Sequence, residues 1–87
     1  MGDRFDFGVA SSLVQVVEGA ASALDMKNDQ MKKRFGDLRE GFKDSSYDEL
    51  MLDMSAADNA IEEVISQLHA ISRHIAEYSI KLQEASK

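Results

Sequence analysis

The sequence predicts an all-α chain, an antiparallel two-helix hairpin that pairs into a four-helix bundle dimer. Three observations predict it. Two stretches carry apolar residues at alternating three- and four-residue spacing, which puts each set on one helix face. One polar segment separates them. The 87 residues include no Pro to interrupt a helix, and the five Gly lie near the ends or close to that segment, apart from Gly19.

The chain is read as one domain over residues 1–87. Met1 to Phe7 forms a short leader whose Phe5 and Phe7 either dock on the hairpin or a partner, or fray with the terminus. Asp6 is the candidate N-cap of helix 1, which is expected over about residues 8–43. Its two apolar rows are Ala10, Val17, Leu24, Met31, Leu38 and Val14, Ala21, Asn28, Phe35, Phe42. Asn28 is the one strongly polar member. It reads either as a register or partner selector or as a wetted position where the helices splay.

The turn is expected at about 44–46, within Gly41-Phe42-Lys43-Asp44-Ser45-Ser46. Ser46 and Glu49 have capping-box spacing, with the Ser hydroxyl accepting from the Glu49 backbone N–H. Asp48 and Glu49 suit the positive N-terminal end of helix 2, expected over about 47–85. Its rows are Tyr47, Met54, Ile61, Leu68, Ile75, Leu82 and Leu50, Ala57, Val64, Ile71, Tyr78, Ala85.

The apolar stripe is wider than one seam per helix. Leu13, Val16, Ala20 and Ala23 extend it on helix 1, and Met51, Leu52, Ile65 and Ile80 on helix 2. A lone hairpin would leave that surface wet, so a partner interface is expected. Its candidate residues are Leu13, Val16, Val17, Ala20, Leu24, Met51, Ile65 and Tyr78. Antiparallel two-fold homodimerisation is the simplest closure, and a heterodimer with another hairpin fits the pattern equally.

Formal net charge is −6, which argues against a general nucleic-acid binder. Residues 1–44 hold seven Lys/Arg and eight Asp/Glu; residues 45–87 hold three and eight. Folding back near residue 44 sets the basic cluster Lys27, Lys32, Lys33, Arg34 beside the acidic run from Asp48 to Glu63. Such exposed pairs contribute about 0.2–1 kcal/mol each, enough to orient helices but not to drive folding. No run of about 18 apolar residues is evident, so no membrane insertion is expected, and no signal peptide is visible.

Signals of catalysis are absent from the pattern. His69 and His74 are five apart and diverge by about 140° on a helix, so they do not share a metal. No phosphate loop, nucleophile elbow or carboxylate–His motif occurs. The expectation is a protein that is not an enzyme, without cofactor or metal.

Length, helix layout and the turn segment resemble the WXG-motif (ESAT-like) proteins of bacterial type VII secretion. These are small helical hairpins joined by a Trp-x-Gly turn. Tyr47 stands at the Trp position, Asp48 at the variable one, and Glu49 replaces the Gly. The family's export signal, an aromatic followed four residues later by an acid, is not matched: Leu82 stands four residues after Tyr78, and Glu84 two further on. With the chain ending at Lys87, the resemblance favours relatives that act as helical partners. Those bind the helical N-terminal domain of an exported LXG-type toxin and target it to the secretion machinery. It implies a protein made in the bacterial cytoplasm and then secreted or held at the cell surface. On this reading the turn motif Ser46, Tyr47, Asp48 and Glu49 helps present a composite signal, while the reading from packing makes Tyr47 a structural pin. A self-assembling filament subunit and a generic cytosolic coiled-coil adaptor are the alternatives.

Overall fold

The computed structural model describes residues 4–42 and 44–85, and these are all-helical or turn. Helix α1 spans Phe7–Leu38, a 3-10 turn follows at Arg39–Gly41, and helix α2 spans Ser46–Ala85. The helices pack antiparallel along a rod of 67 × 22 × 16 Å.

Asp6 starts α1 as expected: its carboxylate accepts from the Val9 backbone N–H at 3.0 Å, filling one of the free donors of the first turn. α1 ends sooner than the expected boundary. The chain tightens into the 3-10 turn and Phe42 turns extended, at φ −91° and ψ 129°. Lys43, the expected last residue of helix 1, lies outside the described residues.

The start of α2 is a correction. Ser46 is inside the helix, and among the described residues its hydroxyl makes no bond to Glu49. Asp44 does the work: its Oδ1 accepts from the Ser46 backbone N–H at 2.9 Å. The Ser45 carbonyl then accepts from the backbone N–H groups of Asp48 and Glu49, at 3.0 and 3.4 Å. The Glu49 N–H expected to meet the Ser46 hydroxyl is thus taken by the Ser45 carbonyl, and Asp44 closes the turn ahead of it. That N–H first, then the Ser46 side chain, hold the Asp44 carboxyl below its ordinary range.

α1 packs through the expected rows except at Met31 and Leu38, which are 37% and 54% exposed. Ala10, Ala21 and Asn28 are buried, and Val14, Val17, Leu24 and Phe35 are half-buried. α2 packs differently. Its first row is half-buried from Tyr47 to Leu82, but the second expected row points outward after the half-buried Leu50: Val64 is 44% exposed, Ile71 45% and Tyr78 51%. The inward partners are instead Asp58, Ile65, Ser72 and Ser79. Neighbours at +4 replace neighbours at +3, a rotation of α2 by roughly 50° about its own axis.

Two contacts explain the rotation. Asn28 on the α1 seam needs a polar partner, and Asp58 supplies it at 2.6 Å. Ser72 is small enough to be buried, at 7% exposure, within reach of Glu18 on α1. The result is a thin core. Ala10 and Ala21 are the only apolar residues fully buried among those described.

Candidate partner interface

The hairpin has two broad sides, and the contacts tell them apart. On one, Val9, Ala10 and Leu13 of α1 and Ile75 and Tyr78 of α2 line a shallow groove of about 400 Å³. On the other, the His69 Nδ1 stands 3.1 Å from both Glu18 carboxylate oxygens, bridging the helices.

The first side is an apolar face. Leu13 and Val16, 46% and 65% exposed, run along α1 and continue to Ala20. Val64, Ile71 and Tyr78, seven residues apart, run along α2. Each seven-residue step is nearly two turns, so these side chains form one line. A window of 18 residues in the first helical segment is apolar and long enough, by length and composition alone, to cross a membrane; 17% of it is buried. Counting only uninterrupted apolar runs misses that window, because Ser and Gln are interspersed among Leu, Val and Ala. The hairpin therefore does not house its own most apolar stretch.

The structure divides the eight expected interface residues. Leu13, Val16, Ala20 and Tyr78 lie on the apolar face and are exposed. Val17, Leu24 and Ile65 are half-buried between the helices and belong to the hairpin's own seam. Met51 is exposed, but it sits eighteen residues before His69, about five turns, and so shares the Glu18–His69 side. Val64 and Ile71 were assigned to the seam by their apolarity and belong to the face instead.

Phe5 does not fray. Its ring meets Phe7 at 5.1 Å and Tyr78 at 5.2 Å, both edge-to-face, and closes the open end of the groove. At the opposite end, Tyr47 is the centre of an aromatic cluster. It stacks on Phe35 at 5.5 Å, tilts against Phe42 at 5.7 Å, and carries the Arg39 guanidinium 5.7 Å over its ring. Its ring is enclosed by its own chain, which favours the pin over a recognition surface. Ser46, Asp48 and Glu49 are exposed beside it.

Halfway along the seam lies a polar knot. Asn28 is 1% exposed, so it is not wetted. Its Nδ2 donates to Asp58 at 2.6 Å and to Glu62 at 3.4 Å, while its Oδ1 has no partner. The Lys32 Nζ lies 3.5 Å from the same Asp58 oxygen and 3.9 Å from Asp29. This is the one cross-helix Lys/Arg–carboxylate bridge among the described residues. Lys27, Lys33 and Arg34 reach no carboxylate there, so the expected alignment of charge blocks is realised at one point only.

Glu18 is held below the ordinary range of a carboxyl, first by the Ser72 hydroxyl, then by His69, against a small opposing cost of burial. The Ser72 contact is loose: at strict geometry its Oγ has no hydrogen-bond partner. Among the described residues no group of three or more His, Cys, Asp or Glu is placed to hold a metal.

Comparison with protein-family models, curated proteins and solved structures finds no match to this chain.

Proposed function

We propose that this chain is a non-enzymatic helical-hairpin protein of a bacterial type VII secretion system, working by completing a four-helix bundle with a second hairpin. The single observation that carries the reading is the uncovered apolar face running along both helices. A soluble rod with that face wet is unfavourable, and a second pair of helices hides it at the lowest cost in backbone hydrogen bonds. The secretion setting rests on the resemblance in length, hairpin layout and the Tyr47 turn to WXG-motif proteins. In that setting the chain is a small secreted protein, or the partner that brings the helical N-terminal domain of an LXG-type toxin to the machinery. It is made in the bacterial cytoplasm and leaves the cell, or reaches its surface, with its partner.

Deleting the gene in its host and measuring export of each neighbouring effector tests this. Loss of one effector from the medium, restored by the wild-type gene, is the expected result. Unchanged export of all of them refutes the targeting role.

A further inference from the structure

The polar knot holds more negative charge than it neutralises. Three carboxylates, those of Asp29, Asp58 and Glu62, stand at it. Among the described residues, Lys32 is the one cation that pairs with any of them, 3.5 Å from Asp58 and 3.9 Å from Asp29. Three carboxylates against one ammonium leave two negative charges in excess. Lys32 sits beyond hydrogen-bond distance of both partners and its side chain is 43% exposed, so it is loosely held. Acids alone on a helix pair make a solvated face. Asn28 makes this cluster different. It is 1% exposed, its amide is aimed between Asp58 and Glu62, and its Oδ1 has no partner.

A half-turn of that amide exchanges Nδ2 and Oδ1. Three oxygens then converge, the amide oxygen 2.6 Å from Asp58 Oδ1 and 3.4 Å from Glu62 Oε1. Oxygens so close repel each other unless a cation lies among them. Calcium holds oxygens at about 2.4 Å in a pentagonal bipyramid, where neighbours about 72° or 90° apart are separated by about 2.8 or 3.4 Å. The knot has one spacing near each value. Magnesium at about 2.1 Å requires right angles, which puts neighbouring oxygens about 2.9 Å apart throughout. His69 stands eleven residues beyond Asp58, about three turns, so no nitrogen ligand is in reach for a softer metal. Asp58 and Glu62 by themselves are too few, and the buried amide supplies the third oxygen.

We propose that Asn28 Oδ1, Asp58 and Glu62 bind calcium, which displaces the Lys32 ammonium and ties α1 to α2 halfway along the rod. The other coordination positions take water, because Glu62 is exposed and the Asp58 side chain is 27% exposed. Glu62 stands seven residues before His69, so the site opens on the Glu18–His69 side, away from the apolar face. Three protein oxygens put the affinity at the weak end for calcium, a Kd of about 0.1–1 mM, as in extracellular modules. The ligands come from both helices, so calcium binds the folded hairpin and stabilises it. The site is independent of the secretion reading and of what covers the apolar face.

Thermal unfolding of the whole chain in calcium, magnesium and sodium chloride at matched ionic strength tests this. Calcium at tenfold excess over Kd should raise Tm by about 5–10 °C, and magnesium by clearly less. The Asn28 side-chain amide resonances should move with the same midpoint in nitrogen-15 NMR. Asn28→Leu should abolish the calcium-specific shift. Glu62→Gln, at an exposed position, should leave the fold intact and weaken binding several-fold. Lys32→Gln should tighten binding several-fold, since no ammonium then competes. Weaker binding in Lys32→Gln overturns the displacement. An equal effect of magnesium, or a calcium shift that survives Asn28→Leu, is diffuse screening of a chain of net charge −6 and overturns the site. So does the lack of any calcium-specific shift up to about 10 mM, tenfold above the weak limit.

Discussion

Asn28 of α1 donates to Asp58 of α2 at 2.6 Å, and this bond lies inside the seam between the helices. It leaves the Asn28 Oδ1 buried without a partner, so the knot is incompletely satisfied. Replacing Asp58 with Ala strands the Asn28 donors and should cost about 1–3 kcal/mol. Removing both polar groups, Asn28→Leu with Asp58→Leu, should recover most of that loss or exceed wild type. Urea midpoints of Asn28→Leu, Asp58→Leu and the double variant, read as a cycle, measure the coupling.

The Glu18 side gives the acid response. Its carboxyl is held below the ordinary value of 4.5 in the folded chain, mainly by the Ser72 hydroxyl and then by His69. A depressed carboxyl contributes fully above its unfolded value, and that contribution is lost as pH falls through the lower folded one. Asp44 acts in the same direction from its own ordinary value of 3.8. Urea midpoints should therefore begin to fall as pH drops below about 4.5. Glu18→Gln together with Asp44→Asn should flatten that slope, and an unchanged slope would show that other carboxylates carry it.

Gly19 and Gly36 lie inside α1, and a Cβ added at either meets nothing within 4 Å. Alanine there removes unfolded-state freedom without a clash, worth about 0.5–1 kcal/mol each. Each substitution should raise the melting temperature by several degrees in thermal circular dichroism, about 4–8 °C per kcal/mol for a chain of this size.

Tyr47→Ala should cost about 1–3 kcal/mol, because it opens the stack against Phe35 and Phe42 at the turn. Tyr47→Phe keeps the rings and should stay within about 0.5 kcal/mol of wild type. Chemical denaturation decides. A Tyr47→Ala variant as stable as wild type would remove the pin and return the residue to the recognition reading.

Leu68→Asp and Ile71→Asp should part company, since Leu68 is half-buried in the hairpin seam and Ile71 is 45% exposed on the face. A charge at Leu68 is stranded between the helices and should unfold the chain at every concentration. A charge at Ile71 should lower stability less and make melting independent of protein concentration, because it acts on association.

Helix number, the Asp6 cap and the α1 rows up to Asn28 were legible in the sequence because each depends on local chemistry or on period alone. The facing of α2 was not. Ala57, Val64, Ile71 and Tyr78 make the better apolar line, yet Asp58, Ile65, Ser72 and Ser79 turn inward. A heptad pattern records every surface that avoids water, and cannot separate the seam within a hairpin from a face that another molecule covers. Asn28 held the missing information, since its burial requires a polar neighbour on the opposite helix, and Asp58 and Glu62 are the acids in reach. Residue type also could not place Met51 on the Glu18–His69 side, because that depends on the same rotation.

Phe5 rests on Tyr78, so the two ends of the described chain lie together, away from the turn. A pull applied to those ends loads the seam as a zipper rather than in shear. Each step of separation breaks one turn's worth of contacts, first around Ala10 and Ile75, then at Glu18 and His69, and only later at the Asn28 knot. Such a rod resists thermal agitation along its whole length, yet yields sequentially to a modest steady force at one end.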